Sequence, residues 1–259
     1  MHLNNIPITK TLKICEPLFL KQSKTGILIL HGYTGCPYSY RNLINLLIDE
    51  DYSLNVPRYP GHGTSGEDFL GTTWKDWLRR SIDAYYDLAG ICNEIYVIGF
   101  SMGGAISLIL SSYLKPKKII LISPATELFG NKIIFSKFLS IFKRKMKSGY
   151  YEKSDLEEYQ FLIDEYLSYF WPSQANSLLK LSRMAKKKVK EITSDTLILA
   201  GKKDDIVPYS ASEYIYNNIK SKNKNLKIYP NSGHDLLNEV EKDEVIKDIM
   251  DFLHDDYSN

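Results

Sequence analysis

After residue 25 the chain alternates short apolar runs with longer stretches of helical periodicity, and that alternation constrains the fold more than any other feature. Short strand-like segments, most of them runs of Ile, Leu and Val, fall near residues 27–30, 53–56, 95–99, 119–123, 196–200 and 226–229. Between them, helical spacing is legible near 38–49, 73–89, 103–114, 209–220 and 239–254. Short strands apolar on both faces, alternating with helices, predict a mostly parallel, twisted sheet covered by helices on each side, an α/β fold. The segment from 12 to 21 adds antiparallel strand at one edge. A chain of 259 residues is long enough for one large domain of this kind.

The alternation breaks between about 125 and 192. Two strands that belong beside each other are separated there by too many residues for a structureless loop. The interval is read as a helical cap inserted over the strand ends. This divides the chain into a first core part (1–124), the insertion (125–192) and a second core part (193–259). The insertion is rich in Phe135, Phe138, Leu139, Ile141, Phe142, Tyr166, Leu167, Tyr169, Phe170 and Trp171, which suit an apolar acyl tunnel or the contact holding the cap down. The run Ser177-Leu178-Leu179-Lys180-Leu181-Ser182-Arg183-Met184 reads as an amphipathic helix.

The chemistry concentrates where strands end. Gly99-Phe100-Ser101-Met102-Gly103 follows the apolar run Ile95-Tyr96-Val97-Ile98 and opens the small-residue helix beginning Gly104-Ala105. Strand, sharp turn and helix are the context in which Gly-x-Ser-x-Gly acts as a nucleophile elbow rather than as a plain glycine-rich turn. A serine hydroxyl needs a base, and the base an orienting acid. Leu197-Ile198-Leu199-Ala200-Gly201 reads as a strand running into Lys202-Lys203-Asp204-Asp205-Ile206-Val207-Pro208, which puts an acid on the sheet edge where ligands bind in such folds. Asp204 and Asp205 compete on spacing alone; the pattern Gly201-x-x-Asp204-x-x-Val207 selects Asp204. The last predicted strand leads into Pro230-Asn231-Ser232-Gly233-His234, a loop on the same edge that puts His234 in reach of both. His31 and His62 are read as packed loop residues, and His2 and His254 lie near the termini.

An oxyanion formed at the serine requires preorganised donors. The backbone N–H of Met102 is one. The loop His31-Gly32-Tyr33-Thr34-Gly35 supplies the other, with the Tyr33 N–H best placed; the alternative for that loop is an ordinary strand-to-helix turn. In the helix near 73–89, Thr73 is a candidate N-cap with Asp76 completing a capping box, and Trp74, Trp77, Leu78, Ile82 and Tyr85 are spaced for a core-facing stripe.

These segments, with Leu30-His31-Gly32-Tyr33-Thr34-Gly35, Pro57-Arg58-Tyr59-Pro60-Gly61-His62-Gly63-Thr64 and Thr73-Trp74-Lys75-Asp76-Trp77, resemble the α/β-hydrolase superfamily over most of the chain. The resemblance is to the bacterial monoacylglycerol lipase and carboxylesterase group. It implies an α/β-hydrolase fold with a helical cap, and a catalytic triad of Ser101, Asp204 and His234. It also implies an oxyanion hole from the Tyr33 and Met102 amides, and hydrolysis of carboxylic esters through an acyl-serine without cofactor or metal. Monoacylglycerols or medium-chain acyl esters are the implied substrates. Thioester or aromatic-acyl ester hydrolysis and acyl transfer use the same machinery, and a non-enzymatic small-molecule sensor would keep the fold alone.

Composition agrees with a globular enzyme. A net charge of +2 gives no footprint for nucleic acid, and no apolar run approaches a membrane span. Cys15, Cys36 and Cys92 are too few and too scattered for a disulfide framework or a metal site, and the start Met1-His2-Leu3-Asn4-Asn5-Ile6-Pro7 has no signal-peptide pattern. Both point to a reduced, cytoplasmic protein. The predicted cap alone is +5, with Lys143-Arg144-Lys145-Met146-Lys147 directly after Phe138-Leu139-Ser140-Ile141-Phe142. This is either a solvated basic face or a surface for transient contact with anionic lipid.

Overall fold

A computed structural model describes residues 11–148 and 153–255. The N-terminal heptapeptide and His2 lie outside the described residues.

Seven strands form one sheet: β1 (Leu18–Leu20), β2 (Thr25–Leu30), β3 (Ser53–Val56), β4 (Glu94–Phe100), β5 (Lys118–Ile122), β8 (Asp195–Gly201) and β9 (Lys224–Tyr229). Their spatial order is β1-β3-β2-β4-β5-β8-β9. Among the described residues only β1 runs antiparallel in this sheet, pairing Leu18 with Val56 at the edge; the other described pairs are parallel. Two further strands among the described residues, β6 (Met146–Lys147) and β7 (Tyr169–Phe170), pair with each other outside this sheet. The expected doubly covered, mostly parallel sheet is therefore observed, antiparallel edge included.

The two faces follow from strand periodicity. In β2, Ile27 and Ile29 join one core and Leu28 and Leu30 the other. The split repeats in β4 with Tyr96 and Ile98 against Ile95 and Val97, and in β5 with Ile120 and Ile122 against Ile119 and Leu121. Successive side chains point to opposite faces, so strands buried on both sides need apolar residues at every position. Helices α1 (Arg41–Ile48) and α10 (Lys242–His254) cover the first face through Leu43, Leu47, Val245, Ile249 and Phe252. The other is covered by α3 (Trp74–Ala89), α4 (Met102–Leu114) and α9 (Tyr209–Asn218), through Trp77, Leu88, Ile106, Ala211 and Ile215.

Local signals explain several element ends. Thr73 Oγ1 accepts from the Lys75 N–H (3.3 Å) and the Asp76 carboxylate accepts from the Thr73 N–H (2.8 Å), forming the capping box of α3. Such caps contribute about 1 kcal/mol. Lys118 is a buried lysine in a buried strand, which no periodicity argument anticipates. Its Nζ donates to the carbonyls of Phe252 (3.0 Å), Leu253 (2.8 Å) and Asp255 (2.7 Å) at the end of α10. An ammonium suits that place because the last carbonyls of a helix lack intrahelical donors and carry partial negative charge.

Between β5 and β8 the chain builds helices of its own: α5 (Asn131–Ile134), α6 (Ser136–Phe142), α7 (Glu157–Leu162) and α8 (Pro172–Lys188). The short helix α2 (Gly66–Leu70) precedes α3 and is N-capped by Ser65. The amphipathic pattern at 177–184 lies inside α8, whose Leu178, Leu181 and Ala185 join the core beside α4. The large apolar residues at α6 behave differently: Phe135, Phe138, Ile141 and Phe142 are 60–72% exposed. They face solvent rather than a tunnel. The side chain of Tyr166 lies outside the described residues.

Candidate active site

Ser101 sits between β4 and α4 at φ 53°, ψ −114°, a conformation that L residues rarely adopt. The turn is held on both sides. The Ser101 N–H donates to Ile122 O (2.8 Å), and its own carbonyl accepts from the Ala105 and Ala125 N–H groups (3.0 Å each). Close packing demands the flanking glycines. A Cβ on Gly103 would stand 1.9 Å from Leu30 O, and one on Gly99 would stand 2.2 Å from Ser107 Oγ.

His234 Nε2 lies 2.9 Å from Ser101 Oγ, and His234 Nδ1 lies 2.7 Å from Asp204 Oδ2. A carboxylate only accepts, so Nδ1 carries the proton and Nε2 is the acceptor for the serine O–H. The other carboxylate oxygen of Asp204 accepts from the Ile206 and Val207 N–H groups, both at 2.8 Å. The acid is thus anchored by one oxygen and offers the other to the imidazole. Asp204 is buried while Asp205 is exposed. The structure thus brings Ser101, His234 and Asp204 into one hydrogen-bonded chain and leaves Asp205 out of it.

The loop bearing His234 is held by groups that the sequence reading did not single out. Ser123 Oγ donates to the His234 carbonyl (3.0 Å), and Ser123 itself has φ 44° just after β5. Glu239 accepts from the Asp235 N–H (2.9 Å) and from the Gly233 N–H, and Glu241 accepts from Ser232 Oγ–H (2.7 Å). Their only sequence signal was a pair of acids a few residues beyond the histidine. The Phe100 ring stands 5.0 Å from the imidazole.

The loop 31–35 turns tightly beside the elbow, with the Gly35 N–H donating to Gly32 O (3.1 Å) and Thr34 at φ 58°. Gly32 packs on the serine: a Cβ there would be 3.4 Å from Ser101 Cβ. Met102 is fully buried at the start of α4. The Tyr33 ring points inward, 5.5 Å from Phe69 and 6.1 Å from Trp77, and burial raises its pKa above the ordinary phenol value.

His31 braces this loop from behind. Its Nδ1 donates to Gly32 O (2.9 Å), since a carbonyl only accepts, and its Nε2 accepts from the Tyr59 N–H (3.3 Å). Burial, the largest cause, lowers its pKa to about 4. His62 is packed 5.2 Å from His31, and burial likewise lowers its pKa. Both histidines are packed loop residues, as expected. Cys36 is buried after the loop, and Cys15 and Cys92 are also free thiols.

A cavity of about 350 Å³ opens at His234. Tyr33, Phe100 and Tyr38 line it from the sheet side, and Tyr159, Leu162 and Leu167 from the segment between β5 and β8. Among the described residues no cluster of His, Cys, Asp and Glu is arranged to hold a metal, and no helix is long and apolar enough to cross a membrane.

The chain is 28% identical over 242 residues to a carboxylesterase of Bacillus subtilis (strain 168), covering 92% of this chain and 96% of that one. It is 28% identical over 251 residues to a thermostable monoacylglycerol lipase of Bacillus sp. (strain H-257), covering 92% and 94%. A solved structure from work on the metagenome-derived lipolytic enzymes LipS and LipT superposes with a TM-score of 0.83 at 24% identity, covering 94% of this chain and 99% of that one. The likeness to that structure is one of fold: an α/β-hydrolase. The family profile described as serine aminopeptidase, S33 matches residues 21–241, nearly the whole described chain, and the protein belongs to that hydrolase family.

Proposed function

We propose that the protein is a serine hydrolase of carboxylic esters working through an acyl-serine intermediate, on monoacylglycerols or medium-chain acyl esters. The observation that carries this reading is the unbroken hydrogen-bond chain from Asp204 through His234 to a serine held at positive φ. Ser101 Oγ attacks the ester carbonyl while its proton passes to His234 Nε2. Asp204 keeps Nδ1 protonated and stabilises the imidazolium. The Tyr33 and Met102 N–H groups receive the oxyanion, which is where their backbone positions beside the elbow are useful. Collapse breaks the C–O bond, and the departing alkoxide takes the proton from Nε2. Water then repeats the sequence on the acyl-serine and releases the acid.

The segment 125–192 is assigned as a cap over the strand ends. Tyr159, Leu162 and Leu167 at the cavity support this, since they bring apolar surface to the site. The names of the two bacillar relatives support an acyl ester as substrate. The three free thiols suit a reduced, cytoplasmic setting.

The exposed Phe138, Ile141 and Phe142 of α6, followed by Lys143, Arg144 and Lys145, support transient contact of the cap with anionic lipid. Part of that basic run is engaged within the protein. Arg144 pairs with Glu67 (2.8 Å), and Lys145 stands 4.2 Å above the Tyr169 ring. Flotation with liposomes containing anionic lipid tests the contact, and equal flotation without anionic lipid removes the electrostatic part of it.

The deciding experiment is hydrolysis of p-nitrophenyl esters from acetate to palmitate, with 1- and 2-monoacylglycerols, by the wild type and Ser101→Ala. Serine-dependent turnover with an optimum at medium or long chains, monoacylglycerols included, is expected. A short-chain optimum with monoacylglycerols ignored would reduce the assignment to a small-ester carboxylesterase. Turnover that survives Ser101→Ala would remove the mechanism.

A further inference from the structure

Two peptide units flank His234 in its loop, and each is held at both ends. The carbonyl of the Ser232–Gly233 peptide accepts from the Lys203 N–H (3.0 Å), on the loop that carries Asp204. The carbonyl of the His234–Asp235 peptide accepts from Ser123 Oγ (3.0 Å), just beyond β5. The N–H ends of both peptides go to one side chain. Glu239 Oε2 accepts from the Gly233 N–H, and Glu239 Oε1 accepts from the Asp235 N–H (2.9 Å). We propose that Glu239 is a positioning residue for ester hydrolysis: by holding the peptides on either side of His234 it keeps Nε2 within reach of Ser101. The proposal rests on the ester-hydrolase reading above.

A peptide unit is planar, so fixing its oxygen and its N–H fixes its plane. With the planes before and after it held, the direction in which His234 projects its side chain is held too. What remains is rotation of the imidazole, which Asp204 restrains at Nδ1 (2.7 Å). Ser123 reaches the histidine carbonyl from a backbone at φ 44°, a conformation that costs free energy. Among the described residues no cation lies within ion-pair distance of Glu239, so its charge serves these amides, and ionised acceptors make the stronger hydrogen bonds. Glycine at 233 is what lets the carboxylate close. A Cβ there would stand 3.2 and 3.3 Å from the two Glu239 oxygens and press them off the amide. Glu241 is placed differently. It accepts from the Asn231 N–H (3.0 Å) and Ser232 Oγ–H (2.7 Å) through the single oxygen Oε2, and holds neither flanking peptide.

The test is steady-state hydrolysis of p-nitrophenyl octanoate by the wild type, Glu239→Gln, Ser123→Ala, the Glu239→Gln/Ser123→Ala double variant, Glu241→Gln and Ser101→Ala, with melting temperature as the measure of folding. Glutamine keeps the length of Glu239 but has one accepting oxygen, and it turns an NH₂ against an amide N–H. Glu239→Gln should lower kcat by about a hundredfold, the scale of a 1 Å misplacement, with KM within about twofold of the wild type. Ser123→Ala should lower kcat by about tenfold, and the double variant should lose less than the product of the two, because both groups hold one peptide. Glu241→Gln removes the same charge from the same loop but can keep its bonds through one oxygen, and should cost less than about threefold. A folded Glu239→Gln with nearly wild-type kcat, a loss confined to KM, or an equal loss in Glu241→Gln overturns the positioning role and leaves the esterase reading standing. If Glu239→Gln does not fold, Ser123→Ala decides, and an unchanged kcat in that variant overturns the role. Absence of Ser101-dependent turnover in the wild type overturns both.

Discussion

His234 Nε2 and Ser101 Oγ are 133 residues apart in the chain and 2.9 Å apart in space. The contact is assembled from two strand ends. Ser101 caps β4, and His234 is suspended from Ser123, just beyond the neighbouring strand β5, by a hydrogen bond to its backbone carbonyl. The serine–histidine geometry therefore depends on strand pairing in the sheet as much as on the elbow itself.

Asp204→Asn should lower kcat by about three to four orders of magnitude, because an amide can present its NH₂ to the imidazole and favour the wrong tautomer. Asp205→Asn, at an exposed position outside the hydrogen-bonded chain, should change it less than about twofold. Steady-state kinetics on one soluble ester decides the matter. Equal losses in the two variants would mean that the acid has been misassigned.

Ser101→Gly should melt higher than Ser101→Ala. Both lack the hydroxyl, but only glycine accepts φ 53°, ψ −114° without penalty. The strain is of order 1–3 kcal/mol, partly offset by the greater freedom of glycine in the unfolded chain. A net gain of about 1 kcal/mol corresponds to roughly 2–4 °C for a chain this long. Differential scanning calorimetry of the two inactive variants compares them directly, and a lower melting temperature for the glycine variant would show that the elbow is not strained.

Gly103→Ala should be among the most damaging single-methyl additions in the chain. The new Cβ would lie 1.9 Å from Leu30 O and 2.8 Å from His31 O, both backbone atoms at the end of β2 that cannot rotate away. A loss above about 4 kcal/mol, or failure to accumulate as soluble protein, is expected. Gly130→Ala is a useful contrast: nothing lies within 4 Å of its Cβ, and only its φ of 102° opposes the change. Urea unfolding of both variants measures the difference. Similar midpoints would mean that the elbow relaxes around the methyl.

Stability should fall as pH drops from 6.5 towards 4. His31 is held neutral with its pKa near 4 by burial, against an ordinary value of 6.5. Between those values the unfolded chain binds a proton that the folded chain refuses, so protonation favours unfolding. Complete passage through this window removes about 3 kcal/mol, and His62 acts with the same sign. Asp235, whose pKa is raised by burial, acts in the opposite sense. Denaturant unfolding at pH 7 and pH 4.5 measures the slope, and His31→Gln should flatten it relative to its own stability at pH 7. An identical slope in that variant would place the acid sensitivity elsewhere.

What the sequence by itself determined is periodic or local. Strands such as β2 and β4 carry unbroken apolar runs, Ile27–Leu30 and Ile95–Ile98, because both faces are covered, so their place and the parallel sheet are legible in one dimension. The elbow is equally local, since the strand, two glycines, a serine and a helix lie within a few residues of one another. The capping box at Thr73 and Asp76 is of the same kind. Asp204 was legible only as one of two adjacent acids plus a spacing; the tertiary structure separates them, because the Ile206 and Val207 amides take hold of Asp204 alone. Tertiary packing also turned the α6 aromatics to solvent, drew α8 into the core, and placed Lys118 under the end of α10. Ser123 and Glu239 became supports of the His234 loop by the same route. None of these has a sequence period, because each depends on which surface happens to lie opposite. Burial repeats along a strand or helix and is written into the chain residue by residue, whereas a partner contributed by a distant segment exists only once the sheet has brought the two together.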